Sequence, residues 1–251
     1  MPSTPYTLSP TPCLIDILAI AAHRDDVEQT CGGTLLAMHA QGWRTGILDL
    51  TQGEAGTRGT AAERQAEAEA AAGILNVSHR EALDLPDGNV ENTLPNRIKI
   101  AEVLRRLRPR IVILPYWEGR HPDHYTTATL GYEACFVSGL SKVEIPGSTD
   151  APHRPYKILY ASLYADVRPS FVVDITPYAE QRLQSLLAYR SQYANQSAGG
   201  SLFVPEDDIR ERTLSTARHY GLLAGVRYAE PFVQKEVGLV DDLMMLPVQS
   251  I

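Results

Sequence analysis

Apolar and charged positions alternate between two textures along this chain. Residues 14–22, LIDILAIAA, are almost continuously apolar, as expected of a strand covered on both faces. Residues 32–42, GGTLLAMHAQG, have helical spacing and stop at Gly42. A second strand is predicted over 45–50 and a helix over 60–75, where Thr60 and Glu63 stand at capping-box spacing. A weaker strand follows over 80–86, an amphipathic helix over 94–108, a buried strand over 110–116 and a helix over 124–140. This alternation argues for βαβ units and a mostly parallel sheet with right-handed crossovers.

Beyond residue 141 the texture changes. A loop leads to two further strands, KILYASLY and SFVVDIT, then to a helix from Pro177 to about Gln192. A Gly/Ser loop and a helix from Pro205 to about Ala224 complete the pattern. The expected fold class is α/β, a three-layer αβα Rossmann-like arrangement with extra C-terminal strands and helices. With no internal repeat or low-complexity linker, residues 1–251 read as a single domain.

Composition narrows the function. Of 251 residues, 44% are hydrophobic and 21% charged, and the net charge is −7 without a long run of either sign. A nucleic-acid partner is not expected, since such binders carry a basic face. No apolar run approaches the ~18–20 residues that span a bilayer, so a membrane partner is not expected either. The N-terminus is proline-rich, with no Lys or Arg before its apolar part, unlike a secretory signal. Cys13, Cys31 and Cys135 are widely spaced and read as small buried side chains rather than a disulfide framework. A reducing cytoplasm fits.

Ligands of open α/β sheets sit outside the carboxyl ends of the strands. Three polar clusters fall there: His23-Arg24-Asp25-Asp26, TQGEAGTRG (51–59) and WEGRHPDH (117–124). His23 and Asp26 are three apart across a tight bend, and His121 and His124 are three apart where a helix begins. Any three of these four, with Asp25 left over, would make an open site of the catalytic-zinc type. The plainer alternative has Asp25 and Asp26 capping a helix and His121 packing a turn.

The pairing of AHRDD with HPDH, together with CGGTL, TQGEAGTRG and YRSQY, resembles the LmbE/PIG-L family of zinc-dependent N-acetylglucosamine deacetylases. Within it the chain is most similar to the bacillithiol-biosynthesis branch, which deacetylates N-acetylglucosaminyl-malate. The resemblance implies His23, Asp26 and His124 as ligands of one Zn²⁺, with Fe²⁺ as the other metal such a site accepts. It implies Asp25 as general base and His121 as oxyanion stabiliser or acid toward the leaving amine, its pKa raised by its partner Asp123. The implied partner is a small amino-sugar conjugate, and the implied assembly a homo-oligomer, up to a hexamer. For an anionic aglycone, Arg58 between its glycines is the first candidate cation and Arg120 the second. Glu54 is a candidate for sugar hydroxyls, and Gln192 and Tyr193 match the family's C-terminal pocket segment. Other aminosugar substrates, an Fe(II) oxygenase triad and a non-catalytic sugar binder are the competing readings.

One residue departs from the family's A-H-P-D-D pattern. Arg24 stands in place of proline, with three roles open to it: pointing to solvent, pairing with Asp25 or another acid, or reaching over the pocket.

Overall fold

The computed structural model describes residues 14–163, 165–193 and 206–248. Seven strands form one sheet in the order β3-β2-β1-β4-β5-β7-β6. β1 (Ile17–Ala21) pairs in parallel with β2 (Thr45–Asp49) on one side and β4 (Ile111–Pro115) on the other. β3 (His79–Ala82) and β5 (Lys157–Ala161) continue the parallel ladder outward. β6 (Phe171–Asp174) and β7 (Ala229–Val233) close one side as antiparallel strands.

Every residue of β1 and β2 is buried; β1 reads as an unbroken apolar run, whereas β2 also buries Thr45 and an Asp49 paired with Arg80. Leu18 and Ile20 face one layer with α4 (Leu94–Leu107) and α5 (Pro122–Ser138). Ile17, Ala19 and Ala21 face the other, where α1 (Asp26–Thr30) and α2 (Gly32–Ala40) pack. α3 (Ala61–Leu75) packs beyond them, its Thr60–Glu63 capping box formed as the sequence predicts. The three-layer αβα expectation is met. Cys31 and Cys135 are buried as expected; Cys13 lies outside the described residues, as does the Gly/Ser loop.

Two C-terminal expectations change. The helix expected from Pro177 to Gln192 is divided into a 3-10 turn (Thr176–Tyr178), α6 (Ala179–Leu187) and α7 (Arg190–Tyr193). The break at Tyr189 turns that fully buried side chain inward. The final helix, α8, runs Glu206–Leu223, and its expected first residue, Pro205, lies outside the described residues.

β7 is an addition, hidden in the sequence because AEPFV carries a glutamate and a proline. Glu230 explains itself in three dimensions. Its carboxylate accepts from the Gly33 and Thr34 amides at the start of α2 (2.9 and 2.6 Å) and from the Thr34 hydroxyl (2.6 Å). It also pairs with Arg182 at 3.0 Å. The helix N-terminus and a guanidinium thus neutralise a charge that is 1% exposed. Glu230→Ala leaves Arg182 and two amides buried without that partner, and denaturant titration should show a loss of roughly 3–5 kcal/mol. The glycines at 32 and 33 let the start of α2 pack close to its neighbours. At Gly33 a Cβ would come within 2.9 Å of Ile175, so the close approach is to the turn after β6.

Candidate active site

The strand order reverses direction between β1 and β4, and the crevice at their carboxyl ends is where such sheets bind ligands. The loop after β1 delivers His23, Asp25 and Asp26 there, and the loop after β4 delivers Arg120, His121 and the first turn of α5. Together they line an open pocket of about 400 Å³.

Three donor groups converge on its floor. His23 Nδ1 lies 3.2 Å from His124 Nε2. The Asp26 carboxylate lies 3.3 Å from His23 Nδ1 and 3.2 Å from His124 Nε2. With metal–ligand bonds of ~2.0–2.1 Å, one edge of a tetrahedron is ~3.3 Å, so these residues fit a tetrahedral metal. His121 also lies near, and with His23 and His124 it forms a second set whose donors all lie within 4.8 Å of one another. Of the four candidates, His23, Asp26 and His124 are the ones with donors 3.2–3.3 Å apart. The helix-capping alternative fails for Asp25, which stands at the N-cap of α1 but makes no capping bond.

The site is strongly electronegative. Burial works against a charged His23, yet Asp26, Asp123 and Asp87 hold its pKa up to about 12. Burial likewise opposes charge on Asp26, but His124 and His23 hold its carboxyl well below the usual range. The three carboxylates around His23 favour a cation at this position.

Asp123 was expected beside His121. Its carboxylate instead lies 3.3 Å from His23 Nε2 and accepts from the Gly88 and Val90 amides at 2.8 and 3.2 Å. Asp87, which no pattern in the sequence singles out, lies 3.1 Å from the same Nε2. Two carboxylates thus fix the ring so that Nδ1 faces the metal position, the usual arrangement behind a ligating histidine. Asp123→Asn would put an amide NH2 against at least one of these donors. Metal affinity, read by competition with a chromogenic chelator, should fall about 10–100-fold.

His121 caps α5 by accepting the Asp123 amide on Nδ1 at 3.3 Å. In its neutral form the ring then carries its proton on Nε2. Burial, with His23 and His124 nearby, pushes its pKa down, contrary to the expected rise. It is a neutral donor rather than a standing cation.

Asp25 is held from its own helix and from two distant segments. Tyr193 donates to its Oδ2 at 2.7 Å, Gln29 reaches the same oxygen at 3.4 Å, and Arg64 of α3 reaches Oδ1 at 3.3 Å. Arg64 went unpredicted, because nothing in an Ala/Glu-rich helix marks one arginine as turned inward.

The expected substrate residues divide. Arg120 is exposed and lines the pocket, as do Gln192 and Tyr193. Arg58 is not among the lining residues; it is 5% exposed and donates to the Gln192 carbonyl at 3.0 Å. Gln192 returns a bond to the Arg58 carbonyl at 2.8 Å, so the pair clips the loop after β2 to α7. Glu54 is also outside the lining. It accepts from the Asp87 amide at 2.8 Å and braces the loop that carries Asp87.

Arg24 takes neither the solvent nor the pocket. It is 5% exposed and donates to the Ala61 carbonyl at 2.8 Å. Burial pushes its pKa down, and the Asp49 carboxylate acts to hold it up. Its own carbonyl, between His23 and Asp25, accepts from Arg80 and from the Tyr189 hydroxyl. Arg80 is held in turn by Glu28 at 2.7 Å and Asp49 at 2.9 Å, and Tyr189 donates to Glu28 at 3.1 Å. This buried cluster anchors the backbone that carries the ligands and Asp25.

The PIG-L family profile, described as GlcNAc-PI de-N-acetylase, matches residues 18–135. Diacetylchitobiose deacetylase of Thermococcus kodakarensis is 32% identical over 231 residues, covering 85% of this chain and 80% of that protein. This chain belongs to the PIG-L/LmbE deacetylase family. Among solved structures, the conserved protein TT1542 of Thermus thermophilus is 38% identical, with a TM-score of 0.81 over 90% of this chain and 98% of its own. The inhibitor complex of N,N'-diacetylchitobiose deacetylase from Pyrococcus horikoshii is 27% identical, with a TM-score of 0.74 over 86% and 82% of the two chains. In this PIG-L/LmbE chain, no helix among the described residues is long and apolar enough to cross a membrane.

Proposed function

We propose that this chain is a zinc-dependent N-deacetylase of the cytoplasm that hydrolyses the acetamide of an N-acetylglucosamine conjugate to acetate and a free amine. One observation carries the reading: His23, Asp26 and His124 present donors 3.2–3.3 Å apart, in a pocket lined by the carboxylate of Asp25. Two imidazoles and a carboxylate suit zinc, and Fe²⁺ is accepted by the same set. When bound, the metal supplies Lewis acidity to the acetamide carbonyl and to the attacking water.

The chain's own residues do the rest. Asp25 takes the proton from water as its oxygen bonds to the acetyl carbon. Tyr193 and Arg64 keep the carboxylate oxygens oriented for that transfer. His121 donates from Nε2 toward the acetyl oxygen as it gains charge. When the C–N bond breaks, the proton held by Asp25 passes to the departing nitrogen, and the balance is acetate plus amine.

The chitobiose deacetylases among its relatives support a short N-acetylglucosaminide as substrate. A second reading, N-acetylglucosaminyl-malate of bacillithiol biosynthesis, draws support from Arg120 and Arg212 in the pocket wall. Acetate release from N,N'-diacetylchitobiose, N-acetylglucosaminyl-malate and free N-acetylglucosamine separates them. If the aglycone is anionic, Arg120→Ala lowers turnover of the malate conjugate and spares the neutral sugars. Release of no acetate from any of the three overturns the proposal.

A further inference from the structure

A second, much smaller recess borders the catalytic pocket. It is a cavity of about 20 Å³, and Asp26 and His124 line both it and the open pocket. Apart from those two, its lining residues are alanine, isoleucine, leucine, valine, proline, threonine and cysteine. The Thr30 hydroxyl donates to the Asp26 carbonyl at 2.8 Å, and burial pushes the Cys31 thiol up, so neither presents a charge. The volume lies just above the ~10–15 Å³ that one water needs, so the cavity admits a single small group.

That lining decides what the group is. A hydroxyl or an ammonium would leave water there without a partner, because Asp26 and His124 already direct their polar atoms to each other and to His23. An acetamide has one apolar end, its methyl, and that methyl is one bond from the carbonyl carbon under attack. A carbonyl placed at the donors of His23, Asp26 and His124 therefore brings its methyl to the mouth of this cavity. The far wall is thin. Leu163, just beyond β5 and only partly buried, lines the cavity and also a groove of about 540 Å³ that reaches Asp166, Thr213 and Tyr220. Its side chain stands between a space for one methyl and a space for a long chain.

Resting on the deacetylase reading above, we propose that this cavity receives the methyl of the acyl group and that Leu163 sets the acyl length the enzyme accepts. The test is acid release by the metal-loaded chain from N-acetyl, N-propionyl and N-butyryl forms of both chitobiose and glucosaminyl-malate. In the wild type, kcat/KM falls by about 10–200-fold for the added methylene of the propionyl form, and further for butyryl. Leu163→Ala joins the cavity to the groove and lowers the acetyl-to-butyryl ratio by at least about tenfold. The milder Leu163→Val shifts the ratio the same way by a smaller factor. Both variants keep the metal content and near-UV spectrum of the wild type. Equal kcat/KM along the wild-type series, or a ratio unchanged in both variants, overturns the cavity's role while acetate release upholds the deacetylase reading. No acid from any of the conjugates overturns both.

Discussion

Asp25→Asn should lower acetate release by about 10²–10⁴-fold, the range that positioned general bases contribute, while leaving bound metal unchanged. The substitution keeps the side chain's size, its one oxygen can still accept from Arg64, and its NH2 can donate to the Tyr193 hydroxyl, so the loop has little reason to move. What it removes is the ability to accept a proton from water. Asp25 is not among the donors that lie 3.2–3.3 Å apart, which are those of His23, Asp26 and His124. The diagnostic result is therefore the split between lost turnover and retained metal. Equal loss of both would make Asp25 a ligand, and full activity would remove it from the mechanism.

The second large effect is His124→Ala. It deletes one of three donors and leaves Asp26 and His23 facing the vacated position. Behind a ligand, the loss of a supporting carboxylate alone typically costs 10–100-fold in metal affinity. Loss of the ligand should exceed that, by more than ~100-fold, and activity should fall with metal content. Dialysis followed by elemental analysis reads the result directly. The contrast with Asp25→Asn separates holding the metal from moving the proton.

The parts of this fold that were legible share a physical reason. Strands buried on both faces are largely apolar, and β1 and β4 announce themselves that way, while β2 carries a buried Asp49 that Arg80 pairs. The gathering of His23, Asp26, His121 and His124 was legible because a parallel sheet brings residues after its central strands to one edge; the choice among the four came from the family resemblance. The supporting groups carry no such local mark. Arg64 comes from α3, Arg80 from β3 and Tyr189 from the break after α6, and only the tertiary fold brings them to the loop of Arg24 and Asp25. The same limit explains Arg58: its place between glycines could not tell that its guanidinium turns to the Gln192 carbonyl instead of the pocket. Arg24 shows how a departure from a family pattern is absorbed. Its side chain bonds α3, and Arg80 and Tyr189 hold the carbonyl at the bend that proline would otherwise have stiffened.

The proposed reaction turns on one metal, held by His23, Asp26 and His124, being required for removal of an N-acetyl group. The most direct measurement is acetate release from N,N'-diacetylchitobiose by chelator-stripped protein, titrated with Zn²⁺ and followed alongside bound metal. The stripped protein should release no acetate, and recovery should saturate at one metal per subunit. Undiminished release without metal, or stoichiometric binding with no acetate from any N-acetylglucosaminide, would contradict that requirement.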